Sequence, residues 1–150
     1  PVAQDLRFLV AALKINNDLE RAGDLTKNIA KRVSTLTAHP EISVPFDFPT
    51  MAGDAVKILK ESLKAFNEFD VEAAKQVLEM DNTIDDENRE AADSIVLAVS
   101  GNKQEENYVL FQFFAVARML ERLGDLATNI AEDIIYILEG VIIRHGHDQP

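Results

Sequence analysis

LERAGDLTKNIA, from Leu19 to Ala30, returns 101 residues later as LERLGDLATNIA, from Leu120 to Ala131, with nine of the twelve positions identical. Both copies keep Glu, Gly, Asp and Asn at offsets 0, +3, +4 and +8. Residues at such spacings share one side of a helix, and Glu121, Asp125 and Asn129 fall within an arc of about 80° at 100° per residue. Leu120, Leu123, Ala127, Ile130, Ile134 and Leu138 gather on the roughly opposite side. The phrase is therefore one amphipathic helix used twice, an internal duplication. No alternating run of useful length occurs elsewhere, so the fold class is all-α.

Four amphipathic stretches account for nearly the whole chain. The first runs from about Ala3 to Ala38 and stops where Pro40, Pro45 and Pro49 interrupt helical continuation. A second runs from about Thr50 to Phe69, with Met51, Ala55, Leu59, Phe66 and Phe69 along one side. Asp70 reads as an N-cap for a third, Val71 to about Val99, which Gly101-Asn102 breaks. The fourth, Gln104 to Glu139, ends at Gly140 before a His-containing polar tail.

Long helices with short connections favour an antiparallel bundle. Residues 50–144 supply a complete three-helix bundle, 40–49 a Pro-rich linker and 145–150 the tail. Residues 1–39 match only the last helix of that bundle. They read as the last helix of an incomplete first bundle, whose companions would lie upstream of Pro1, where helical periodicity has already begun. Alone, that helix exposes an apolar stripe and is expected to associate, with the second bundle, another chain or residues upstream.

Composition excludes several functions. Of 150 residues, 47% are hydrophobic, enough to bury a core, and 26 Asp+Glu against 15 Lys+Arg give a net charge of -11. That balance disfavours binding to nucleic acid. Without cysteine there are no disulfides, thiolate clusters or cysteine nucleophiles, and any metal must sit on oxygen or imidazole. The most apolar stretch, Val109 to Leu120, contains Gln112 and Arg118 and is too short to span a bilayer. A soluble chain in a reducing cytosol fits these features.

An ordinary solvated face explains one acidic stripe. It does not explain why both copies carry like charges at i and i+4 and a mid-helix glycine, each unfavourable in a helix. Gly23 and Gly124 lie between the acidic and apolar faces, where a bare backbone admits a close neighbour. On the third helix, Asp81 lies within about 60° of Ala74, Val77, Leu78, Ile84, Ala92, Ile95, Val96 and Val99, while Lys75, Glu79, Asp86, Glu90 and Asp93 point away. Asp85 and Asn88 continue this apolar stripe. A buried carboxylate needs a partner, a proton or a metal. If Asp81 and Asp85 face Glu121 and Asp125, four carboxylates with Asn129 nearby suit a hard cation, and bridging would permit a multinuclear cluster.

These residues resemble the PhoU family of phosphate-transport accessory and regulatory proteins. The resemblance rests on the doubled LERxGDxxxNIA phrase, Asp5-Leu6-Arg7 in the opening PVAQDLR, the Asp81-x-x-x-Asp85 segment, and Glu139-Gly140 followed by Arg144-His145. It spans essentially the whole chain. It implies tandem three-helix bundles, cytoplasmic dimers or larger oligomers, and metal clusters held by E(D)xxxD motifs. Iron stands foremost among the metals, with Zn, Mn, Ni or Mg as alternatives. It also implies negative regulation of phosphate uptake and of the phosphate-starvation response, through the ATPase subunit of the phosphate ABC transporter and a sensor histidine kinase, peripheral to the membrane and without enzymatic activity. Residue by residue, Glu121 and Asp125 match the motif of the second bundle's last helix, Asp81 and Asp85 that of its middle helix, and Glu20 and Asp24 the first bundle's last helix. Asn129 and Asn28 fall in a supporting shell. The middle-helix motif that would face Glu20 and Asp24 is absent from this chain, so the two copies should not bind metal equally.

Two rival readings use the same residues. A carboxylate-bridged di-iron oxidase would pair Glu with His at i+3, whereas the histidines here, His39, His145 and His147, lie in the loop and the tail. A metal-free helical adaptor would instead pair Asp81 and Asp85 with basic residues of another chain. No Ser/His/Asp arrangement, phosphate-cradling glycine loop or dinucleotide fingerprint is present.

Overall fold

Capping chemistry sets the ends of the helices in the computed structural model, which describes residues 2–101 and 103–140. They are α1 (Val2–Thr37), α2 (Phe48–Glu68), α3 (Val71–Ala98) and α4 (Gln104–Glu139). Asp47 caps α2, its carboxylate accepting from the Thr50 N–H at 3.0 Å and the Thr50 hydroxyl at 2.7 Å. The helix thus begins two residues before Thr50, with Pro49 in its first turn, where a missing N–H breaks no helical bond. Phe69, in the left-handed region at φ 52°, closes α2 by donating its N–H to Ala65 O and Phe66 O. Asp70 then caps α3 as the sequence implies, accepting from the Ala73 N–H at 3.0 Å. Gly140 at φ 66° ends α4, and the His-containing tail lies outside the described residues.

α2, α3 and α4 pack mutually as a three-helix bundle, and α1 lies along a further side of α4. Lys14 meets Asp133 while Arg32 donates to Gln112, so α1 and α4 run antiparallel. Of the places open to the first helix, the structure puts it on the second bundle. Its core-facing residues Ala11, Ile15 and Ala22 are buried, whereas Leu6, Leu9 and Leu13 remain exposed.

The core joins Met51 and Ile58 of α2, Val77 and Ile84 of α3, and Ile130 and Ile134 of α4. Fully buried alanines (Ala55, Ala65, Ala74, Ala91, Ala117, Ala127, Ala131) let the helices approach closely. Because α4 touches all three other helices, it is buried nearly all round, including Val116, Leu126, Ala131 and Ile135 as well as most of the expected stripe. Elsewhere the inward face is turned slightly from expectation. On α2 it is Ile58, Ser62 and Ala65 that are buried, while Phe69 is 54% exposed. On α3, Ile95 takes the inside place and Val96, 100° further round, is 71% exposed. The Pro-rich loop also packs, placing Val44 with Ile95 and Leu110 in a small second cluster ringed by Phe46, Phe48 and Phe113.

Candidate metal centre

Asp81 and Asp85 are one turn apart on α3 and point at α4. Asp81 is only 9% exposed, in line with its place in the apolar stripe. The close approach depends on Gly124: a Cβ built there would stand 2.8 Å from Asp81 Oδ1 and 3.3 Å from Ile84 Cδ1. The carboxylate thus packs against bare backbone, closer than a Cβ would ordinarily allow.

Carboxylate oxygens of Asp81, Asp85 and Asp125 all lie within 4.8 Å of one another. At that separation two ionised groups repel by on the order of 3 kcal/mol at an effective dielectric of about 20, so a proton or a cation stabilises the set. Three oxygen donors without thiolate or imidazole suit a hard cation, and the cradle at Gly124 shows that helix packing accommodates the arrangement. A metal fits these residues.

Glu121 stands one turn before Asp125, half-buried, with Arg118 Nη1 donating to its Oε2 at 3.1 Å. Burial raises its pKa above the usual value; the Asp125 and Asp85 carboxylates raise it further, while Arg118 and Arg122 oppose. It borders the trio without joining it. Asn129 is half-buried on the same helix and lines a cavity described below. The first copy is arranged differently. Glu20, Asp24 and Asn28 are exposed, and nothing stands within 4 Å of a Cβ built at Gly23. Asp24 and Asn28 instead line a groove with Arg21, Leu25, Arg122, Asp125 and Leu126, where the two copies cross. Among the described residues no histidine joins the trio; His39 sits in the loop, 3.2 Å from Glu41.

Two further acidic sites were not singled out from the sequence. Asp18 is buried, 7% exposed, and with Asp133 lines a polar cavity of about 320 Å³ between α1 and α4, together with Lys14, Asn17, Arg21, Asn129 and Glu132. The signal was available: Asp18 lies in register with Ala11, Ile15 and Ala22, an acid in an apolar stripe like Asp81. The second is Glu87 on α3, whose pKa is pushed up to about 7 by burial and by the neighbouring Asp54 carboxyl of α2.

Asp133 gives a pH prediction. Burial lifts its pKa from 3.8 to about 6; Lys14 opposes this and Asp18 adds to it. The folded state thus holds a proton that the unfolded chain has released. The contribution to stability is full below about pH 4 and is lost as the pH rises through about 6. With the side chain 15% exposed, Asp133→Asn is expected to stabilise the chain by roughly 2 kcal/mol at pH 7.5 and by much less at pH 4. Urea midpoints of both proteins at the two pH values measure this. A gain of equal size at both would refute it.

Comparison with known proteins places these features in a family. The model of the PhoU domain matches residues 1–33 and 48–134. A "Phosphate-specific transport system accessory protein PhoU homolog 1" of Thermotoga maritima is 34% identical over 142 residues, covering 93% of this chain and 60% of the relative. A PhoU homolog of the same description from Pseudomonas aeruginosa is 36% identical over 146 residues, covering 97% of this chain and 60% of the relative. The chain thus spans about 60% of the length of these curated relatives. Among solved structures, the crystal structure of PhoU from Pseudomonas aeruginosa superposes with a TM-score of 0.83 at 32% identity, over 94% of this chain and 68% of that one. The phosphate transport system regulatory protein PhoU from Streptococcus pneumoniae also gives 0.83, at 25% identity, over 94% of this chain and 66% of that one.

Proposed function

The chain belongs to the PhoU family, and from that membership we propose that it is a metal-binding, non-enzymatic regulator of phosphate uptake and phosphate-starvation signalling. It acts in the cytoplasm by contact with the ATPase subunit of the phosphate ABC transporter and with a sensor histidine kinase, as a homodimer or higher oligomer. The relatives' names, accessory proteins of phosphate-specific transport, support the regulatory part. Exposed Leu6, Leu9 and Leu13 on α1 support association. No helix among the described residues is long and apolar enough to cross a membrane.

One observation carries the metal part: Asp81, Asp85 and Asp125 converge within 4.8 Å from two helices. Asp81, Asp85 and Asp125 would hold the ion, with Glu121 beside them. A multinuclear cluster would recruit further carboxylates, iron being foremost and Zn, Mn, Ni or Mg the alternatives. When bound, the metal supplies positive charge that neutralises the carboxylates and ties α3 to α4. The protein's part is positional: α3 presents two ligands one turn apart, and Gly124 lets them reach α4.

The regulatory reading is tested by adding metal-loaded chain to the transporter's purified ATPase subunit. A stable complex with reduced ATP hydrolysis is expected. Absence of a complex together with an unchanged rate would remove this reading. Direct contact with phosphate is a separate matter. If the bound metal offers a position to an oxyanion, inorganic phosphate should raise the Tm of metal-loaded protein, and an unchanged Tm counts against it.

A further inference from the structure

Gly23 and Gly124 occupy the same position of the repeated phrase, three residues after its Glu. Both lie inside long helices, where alanine is the better helix former, so backbone conformation gives neither a reason to be glycine. Their surroundings differ. At Gly124 a Cβ would meet Asp81 Oδ1 at 2.8 Å, and Ile84 Cδ1 and Cγ2 at 3.3 and 3.5 Å; at Gly23 it would meet nothing within 4 Å.

We infer that Gly124 is a positioning residue for the metal: its bare backbone lets the Asp81 carboxylate stand beside Asp85 and Asp125. A methyl group at position 124 would press on Asp81 Oδ1 and shift that carboxylate away from the other two. Ile84 could yield a few tenths of an ångström, but a contact of 2.8 Å requires the Asp81 carboxylate itself to move. Gly124 therefore acts through Asp81 rather than on the metal itself, and Gly23 has no such role in this chain. The inference rests on the metal reading above.

The whole chain tests it with Mn²⁺ as probe, read by electron paramagnetic resonance, and with thermal melting in chelator, which reports the contact without metal. Gly23→Ala should leave Mn²⁺ binding unchanged and raise Tm by roughly 2–4 °C, the gain from helix propensity. Gly124→Ala should weaken Mn²⁺ binding at least tenfold and, in chelator, gain less Tm than Gly23→Ala. In an Asp81→Ala background the carboxylate is gone, so Gly124→Ala should gain more Tm than it does with Asp81 in place.

Equal Mn²⁺ binding by Gly124→Ala and the unmodified chain overturns the inference. So does an equal change in Tm in both backgrounds, since Ile84 would then be what the methyl meets. If the unmodified chain binds no Mn²⁺, Fe²⁺ or Zn²⁺, the metal reading fails and the positioning role with it, while the melting series still reports the contact between position 124 and Asp81.

Discussion

Asp125→Asn is expected to strip the chain of stoichiometric metal while leaving its helices folded, and Asp81→Asn to do the same. Asparagine preserves shape but removes the charge, and the three carboxylates that converge within 4.8 Å lose the strongest source of cation affinity. The effect on stability should change sign with metal. In chelator the substitution relieves repulsion between like charges, so the variants should melt at or above the unmodified protein. At a metal concentration of about 100 times Kd, the unmodified protein gains about 2.7 kcal/mol that the variants forgo, so the order reverses. Glu20→Gln and Asp24→Asn should keep full metal content, because both residues are exposed and neither carboxylate belongs to the converging trio. Elemental analysis of protein purified without a metal-affinity tag, with melting in metal and in chelator, decides the matter. A metal-free preparation whose melting order never reverses would leave the helical adaptor as the better reading.

Ile130→Ala is expected to be among the most damaging single substitutions, costing about 2–5 kcal/mol and lowering Tm by roughly 5–20 °C. Ile130 is fully buried at 0% exposure in the main core, on the helix that every other helix contacts. Removing three carbons there leaves a void that neighbours on several sides cannot all close. Its counterpart in the first copy, Ile29, is only partly buried at the edge of the same core, so Ile29→Ala should cost less than half as much. Denaturant unfolding of the two variants makes the comparison. Equal losses would mean that α1 is held far more tightly than its exposed apolar residues imply.

Much of the fold was legible because helix periodicity and capping are local. α4 runs over Gln104–Glu139 as periodicity places it, and Asp70 caps α3 as its position implies. The Asp47 cap is hidden in the sequence by three nearby prolines, a loop composition, although Pro49 in a first helical turn forfeits no bond. The burial of Asp81 was also legible, since an acid inside an apolar stripe is anomalous on one helix alone. Asp18 carried the same anomaly within a helix whose outward face is also apolar, which blurred its stripe.

Periodicity and capping in the sequence are enough for the four helices among the described residues, for their ends to within a turn, and for which carboxylates share a face, because those properties depend on residues within a turn or two of one another. The sequence also establishes that one phrase was used twice. What each copy meets is set by the packing of the helices. In the second, α3 approaches Gly124 so closely that a Cβ there would stand 2.8 Å from Asp81 Oδ1; in the first, Gly23 looks onto open space, Glu20 is exposed, and Asp24 lines the groove between α1 and α4. Arg118 draws Glu121 to one side, and α4 is enclosed by three neighbours. Charge repulsion, metal affinity and the cost of a methyl group all depend on distances between helices, and those are set by packing between residues far apart in the chain.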